Sequence, residues 1–198
     1  MDSDPPARRG ALAPAGLLLA AGAGRRMGGP KALLHDRSGQ SWLLRSVAAL
    51  RKGGCQEITV VLGAQAVAAA ALLDDTEVDV VVAEDWAEGM GASLRAGLAA
   101  LASGEAVVAV VHLVDLPDVT EAVVERLLES HELSPSLLAR ATYRGAPGHP
   151  VLIGRDHWKS VIASAHGDEG ARGYLIRHSV IAVECGDLAQ GVDRDTAD

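Results

Sequence analysis

Apolar and polar positions along this chain switch repeatedly between two periods. Leu17, Leu18 and Leu19 form a continuous apolar run with no alternation, as expected of a strand covered on both faces. Similar runs recur at 58–62, 78–83, 106–114, 137–143 and 180–184, and another begins at Val151 and Leu152. Residues 41–52 instead carry Trp42, Leu43, Val47 and Leu50 at helical spacing and stop at Gly53-Gly54, so they predict a helix. Further helices are predicted over 64–73, from Ser93 to about 102, over 119–131 and after Arg172. Strands alternating with helices at this pitch predict a parallel sheet with helices on both faces. The expected fold class is therefore α/β: a single-domain, three-layer, doubly wound, mostly parallel sheet over 14–198, preceded by a disordered polar tail at 1–13. A chain of 198 residues is long enough for one sizeable core and short for two.

The first apolar run breaks abruptly into a glycine-rich basic loop, Ala20-Ala21-Gly22-Ala23-Gly24-Arg25-Arg26-Met27-Gly28-Gly29-Pro30-Lys31. Glycines permit positive φ and close backbone approach, so amide N–H groups can converge on an anion. Arg25, Arg26 and Lys31 add charge to that concavity, and a nucleotide triphosphate suits it. Two familiar glycine loops fail on spacing. A Walker loop needs Gly-Lys followed by Ser or Thr, whereas Lys31 here follows Pro30 and precedes Ala32. A dinucleotide fingerprint needs G-x-G-x-x-G and a later acid ending the second strand, whereas Gly22-x-Gly24 is followed at Gly28 and the second strand ends in Leu62-Gly63.

Composition narrows the partners. A formal net charge of −8 argues against a nucleic-acid-binding face, so the cations of the loop are a local device. With no Phe and 3 % aromatic residues, stacking platforms for single strands are not expected, and the core must be built from Val, Leu, Ile and Ala. Cys55 and Cys185 lack metal or disulfide spacing and read as buried or loop thiols. Arg8-Arg9 before an apolar stretch imitates an export signal, but Asp2, Asp4, Pro14 and Gly16 oppose it, and cleavage would destroy the loop. A cytoplasmic protein without membrane partner is expected.

Three further stretches carry chemistry. In Trp86-x-x-Gly89-Met90-Gly91-Ala92-Ser93, two glycines precede a helix whose free amides can meet a nucleotide. The most apolar strand ends in Asp115-Leu116-Pro117, and an acid there stands where open α/β sheets bind ligands. Near the end, Gly191-Val192-Asp193-Arg194-Asp195 offers further carboxylates; with Asp115 they make a hard-oxygen site suited to Mg²⁺. His149, before Pro150, is either structural or an acceptor contact. Asp168 is placed as a helix N-cap, and with Arg172 it either shapes an acceptor site or forms a pair. The remaining histidines show no metal-ligand spacing and read as solvated or packed.

Leu19-Ala20-Ala21-Gly22-x-x-x-Arg26-Met27-Gly28-x-x-Lys31, with Asp115-x-Pro117, Gly148-His149-Pro150-Val151-Leu152 and the terminal acids, resembles the nucleotidyltransferases related to molybdenum-cofactor biosynthesis. The resemblance spans roughly 15–196 and implies a Rossmann-like nucleotidyltransferase fold. It implies an enzyme of the molybdenum-cofactor cytidylyltransferase type, transferring CMP from CTP to a phosphorylated molybdopterin-type cofactor with release of pyrophosphate. In that reading Leu19, Ala20, Ala21, Gly22, Ala23, Gly24, Gly89, Gly91 and Ser93 hold the nucleotide. Arg26 and Lys31 stabilise the departing pyrophosphate, and Asp115 with Asp193 or Asp195 holds Mg²⁺. His149, Asp168 and Arg172 face the acceptor. Ala21, where the guanylyl branch has Gly, implies CTP over GTP, although Gly24 replaces the cytidylyl branch's Ser and Ala197 its terminal Pro.

Two alternatives stay open. One is an NTP transferase of the same fold using GTP or a sugar or alcohol phosphate. The other is a non-catalytic nucleotide-binding protein delivering cofactor to a molybdenum hydroxylase apoenzyme, against which the retained Lys31, Asp115 and Asp193 argue.

Overall fold

Leu17 and Leu18 lie fully buried in the middle of a seven-stranded sheet, on strand β1 (Pro14–Leu19). The computed structural model describes residues 13–25 and 28–194. The expected tail at 1–13 thus lies outside the described residues except for Ala13, and so do Arg26 and Asp195. The other strands are β2 (Glu57–Leu62), β3 (Asp79–Val82), β4 (Val108–Leu113), β5 (Leu138–Tyr143), β6 (Ala146–Gly154) and β7 (Ile181–Glu184). Their spatial order is β3-β2-β1-β4-β6-β5-β7. The β3-β2-β1-β4 half is parallel throughout, β6 runs antiparallel to both β4 and β5, and β7 is parallel to β5.

Among the described residues six α-helices cover the two faces: α1 (Trp42–Lys52), α2 (Ala66–Ala71), α3 (Met90–Leu101), α4 (Glu121–Glu129), α5 (Arg155–Ser164) and α6 (Arg172–Ile176). On one face Leu43, Val47 and Leu50 of α1 and Val123, Val124 and Leu127 of α4 pack with Leu18, Val60 and Val110. On the other, Leu94 and Leu98 of α3, Trp158 and Val161 of α5 and Leu175 of α6 pack with Leu17, Val61 and Val111. Successive strand residues point to opposite faces, so an unbroken apolar run serves both layers at once. The three-layer, mostly parallel expectation holds.

Local chemistry explains the boundaries. Ser41 caps α1, its hydroxyl accepting the Leu44 N–H at 3.4 Å. The alanine-rich helix is shorter than its composition suggests, because Gln65 takes a left-handed φ of 53° and opens it only at Ala66. The β5–β6 turn passes through Arg144 and Gly145 at φ 53° and 79°, and the Glu184 carboxylate of β7 accepts both their N–H groups. Those amides hold the Glu184 carboxyl below its usual range.

Two features depart from the sequence reading. Helix α5 was not expected, since only Trp158, Val161 and Ala165 mark its apolar side. The antiparallel insertion of β6 between β4 and β5 is a long-range pairing that apolar runs alone do not encode.

Candidate active site

The chain leaves β1 and β4 in opposite directions along the sheet. From β1 it winds outward to β2 and β3, then returns to form β4 on β1's other side. Beyond the carboxyl ends of these two strands the connections part, which opens a crevice of the kind where α/β sheets bind ligands. A cleft of about 450 Å³ occupies this place. Leu19, Ala20, Ala21, Gly22, Ala23, Gly24 and Lys31 line one side, and Gly89, Ser93, Asp115 and Asp168 are also among its lining residues.

Gly24 is obligatory for the loop's shape. Its φ is +56°, and a Cβ there would collide with the Gly29 carbonyl oxygen, the same residue whose N–H bonds back to the Gly24 carbonyl at 3.3 Å. The loop is closed on itself at this point, which turns Lys31 toward β4. Lys31 Nζ donates to Asp115 Oδ2 at 2.8 Å, with the two side chains only 16 % and 20 % exposed. The other Asp115 oxygen, Oδ1, is buried with no hydrogen-bond partner.

The segment bearing Lys31 is tied to the segment bearing Asp115 by a second contact. Asp36 accepts the N–H groups of Ser38 and Gln40 and the Ser38 hydroxyl, and these bonds hold its carboxyl down at about 2. Arg45 of α1 bridges Asp36 and the Pro117 carbonyl, the latter at 3.3 Å. One guanidinium thus ties the segment after Lys31 to the segment after Asp115.

On the opposite wall, Gly89 and Gly91 act mainly through packing. A Cβ on Gly89 would meet the Gly167 carbonyl and Asp168 Oδ1, and one on Gly91 would meet the His166 backbone at 2.7 Å. Gly91 therefore seats the 166–168 turn against α3 and does not line the cleft. Asp168 is not the N-cap expected from the sequence: it belongs to the short helical turn Gly167–Glu169, and Ala171 precedes α6 without a side-chain cap. Gly167 and Gly170, both at φ 52°, bracket that turn and direct Asp168 to the cleft instead. Asp168 and Arg172 do not form an ion pair.

His149 and Arg172 do not line the cleft; they lie beyond it. Val111 of β4 pairs with Val151 of β6, so His149 stands two residues past the last paired rung, beside the strand end that carries Leu113 into the cleft. Burial, with the nearby Arg140 charge, pushes the His149 imidazole down to about 4. Arg140 of β5 was not singled out from the sequence. It donates to the Gly148 carbonyl at 3.1 Å, keeps its Nε buried without a partner, and is lowered from the usual guanidinium range by burial and by Arg172. A cation in a strand between two alanines was its signal. Arg25, Trp86, Ala87, Met90, Leu113 and Val114 also line the cleft. Trp86 was visible in the sequence as part of the Gly89 motif.

Asp193 is exposed, and its neighbour Arg194 donates its backbone N–H to the Asp115 carbonyl at 3.0 Å, which brings the terminal segment against the metal-site candidate. Among the described residues no cluster of three His, Cys, Asp or Glu side chains is present. A hard cation bound mainly through substrate oxygens and water needs only one or two carboxylates, and the orphaned Asp115 Oδ1 fits it. Both cysteines are free and buried, and burial raises the Cys55 thiol to about 12. His112 of β4 is fully buried with neither ring nitrogen bonded. Among the described residues no helix is long and apolar enough to cross a membrane.

A glycine cradle at a sheet switch point, a lysine and an aspartate facing one cleft, and this strand order define an α/β fold of the nucleotidyltransferase class. The chain belongs to the MobA-like NTP transferase domain family, whose model matches residues 16–182. It is 38 % identical over 193 residues to the Nicotine blue oxidoreductase of Paenarthrobacter nicotinovorans, with 92 % of each chain covered. It is also similar to the crystal structure of Rv0371c from Mycobacterium tuberculosis H37Rv, at 30 % identity and TM-score 0.76 over 93 % of this chain and 94 % of that one. The structure of Rv0371c in complex with manganese matches at 29 % identity and TM-score 0.74, over 92 % and 94 %.

Proposed function

We propose that this protein is a divalent-metal-dependent cytidylyltransferase acting in the cytoplasm, with residues 14–198 as its single catalytic domain. It transfers CMP from CTP to a phosphorylated molybdopterin-type cofactor, and the product passes to a molybdenum hydroxylase apoenzyme. The observation that carries this reading is the Lys31–Asp115 contact at the mouth of the glycine cradle, with Asp115 Oδ1 left over for a cation. The acceptor phosphate oxygen attacks the α-phosphorus in line; the new P–O bond replaces the bond to the bridging oxygen, and pyrophosphate leaves with that electron pair. A phosphate is already anionic near neutral pH, so no general base is required. The protein's part is to position the groups and neutralise charge.

In this reading Leu19 to Gly24, Gly89 and Ser93 surround the nucleotide, Gly91 supports that wall from behind, and Arg26 and Lys31 stabilise pyrophosphate. Asp115 with Asp193 or Asp195 holds Mg²⁺, which supplies Lewis-acid stabilisation of the triphosphate. The manganese complex of Rv0371c supports use of a divalent cation. His149, Asp168 and Arg172, joined by Arg140, receive the acceptor's anionic groups. The buried methyl of Ala21 favours a pyrimidine.

A second reading is a redox enzyme of this fold, favoured by the 38 % identity to a protein named Nicotine blue oxidoreductase. One experiment separates the two. Pyrophosphate release is measured with each of the four NTPs, with and without Mg²⁺ or Mn²⁺ and acceptor, beside consumption of a reduced nicotinamide with a quinonoid dye. Metal-dependent pyrophosphate from CTP is expected. Dye reduction without pyrophosphate overturns the transferase reading.

A further inference from the structure

Asp118 lies three residues after Asp115 on the loop that leaves β4, and its carboxylate grips the terminal segment of the chain. Oδ2 accepts the Gln190 N–H at 2.7 Å and the Gly191 N–H at 3.1 Å. Gly191 takes a φ of +62° and lies so close over the Tyr143 ring that a Cβ would overlap it. Tyr143 is itself fixed, its hydroxyl donating to the His149 carbonyl at 2.6 Å. Three residues further, the Arg194 N–H donates to the Asp115 carbonyl. The strap 190–194 is thus pinned at two points, and both pins belong to residues 115–118.

We propose that Asp118 is a positioning residue which, by clamping the strap at Gln190 and Gly191, delivers Asp193 to the cation held by Asp115. This rests on the reading of Asp115 and Asp193 as the cation site. The strap has little else to hold it: Val192 is 59 % exposed, and hydrogen bonds must supply what apolar packing does not. Hydrogen bonds from two amides to one carboxylate are charge-assisted and stronger than neutral ones. They also set the register of the strap, because the Gly191 amide has room over Tyr143 only when no side chain intervenes. Among the described residues, loss of the clamp leaves the Arg194 amide as the strap's remaining hydrogen bond to residues 115–118, and a ligand that must be ordered at the moment of binding contributes less affinity.

The test uses the full-length protein without nucleotide. Mn²⁺ affinity is read by electron paramagnetic resonance titration, and the exchange rates of the Gln190 and Gly191 amides by hydrogen exchange. Asp118→Ala is expected to weaken Mn²⁺ binding by about tenfold and to speed exchange at both amides. Asp118→Asn, which keeps a neutral acceptor, gives a smaller change in both readouts. Asp115→Asn and Asp193→Asn serve as reference variants. If these two weaken Mn²⁺ binding while both Asp118 variants bind it like wild type, the positioning role is overturned and the cation site stands. If neither reference variant alters Mn²⁺ binding, the cation site fails and the positioning role fails with it. Should Asp118→Ala not fold, Asp118→Asn decides alone: unchanged affinity overturns the proposal.

Discussion

Lys31 Nζ and Asp115 Oδ2 are 2.8 Å apart across the mouth of the cleft, although 84 residues separate them in the chain. The contact closes the glycine loop onto the end of β4. It also pairs the lysine proposed for phosphate with the carboxylate proposed for a cation.

Replacing Lys31 by Ala therefore has two opposite effects. Turnover falls about tenfold or more, equivalent to ~1.4 kcal/mol of transition-state stabilisation. Binding of Mn²⁺ without nucleotide becomes tighter, because Asp115 loses a competing cation. Steady-state kinetics and a metal titration check the two together; unchanged turnover would reduce Lys31 to a structural contact.

For Asp115→Asn the expected outcome is loss of turnover with the fold retained, since the side chain is partly exposed and its amide still accepts from Lys31. A melting temperature and an activity both equal to wild type would remove Asp115 from the chemistry.

Ala21 is 4 % exposed on the floor of the cleft. Ala21→Gly is expected to raise the use of GTP relative to CTP without necessarily reversing the preference, because one methyl supplies only about 1 to 3 kcal/mol of discrimination. Competition between equal CTP and GTP is the measurement. A wild-type preference for GTP refutes the cytidylyl assignment and leaves the transferase reading intact.

Gly24→Ser introduces the residue found in the cytidylyl pattern, yet its Cβ meets the Gly29 carbonyl oxygen at a positive φ. Such a residue costs on the order of 1–3 kcal/mol. The variant is expected to melt lower and to show a raised KM for CTP, read by calorimetry and initial rates. A variant as stable as wild type would mean that the loop re-forms around Ser.

Stability should decline as pH falls below about 6.5. Burial lowers His112 to about 3, with the neighbouring His149 charge adding to the shift, and His149 itself lies at about 4. Folded-state values below the unfolded one mean that the unfolded chain binds protons first; stability present above pH ~6.5 is lost as pH falls toward these values. His112→Leu removes two unsatisfied nitrogens and one titrating group. It is expected to be neutral or stabilising at pH 7.5 and more clearly stabilising at pH 5, with the slope from His149 remaining. Thermal melts across this range check it.

Much of the glycine-loop side of the cleft was legible in the sequence because its signals are local. Three leucines without alternation, a glycine loop with a lysine at its end and an acid closing the next central strand all lie within short windows, and the sheet brings them together by register alone. The β5–β6 side was less legible. Trp158, Val161 and Ala165 are the apolar marks of α5, Arg140 is one cation within a strand, and β6 runs antiparallel through pairing with β4 about forty residues away. Asp168 looked like a cap because glycine-acid before a helix usually is one. Here the backbone of His166 and Gly167 needs the space over Gly91 and Gly89, and that packing turns the acid away from α6.

The antiparallel insertion of β6 sets the two sides of this sheet apart along the strand order. The β1–β2–β3 side carries the cradle, while the β5–β6 hairpin, α5 and the 167–169 turn lie on the other side of β4 and meet it through β4, α3 and α4. Arg140 and His149 do not line the cleft beside the glycine loop. The loop and the hairpin thus meet the same central strand from opposite neighbours, so β4 is the one element on which both sides are registered.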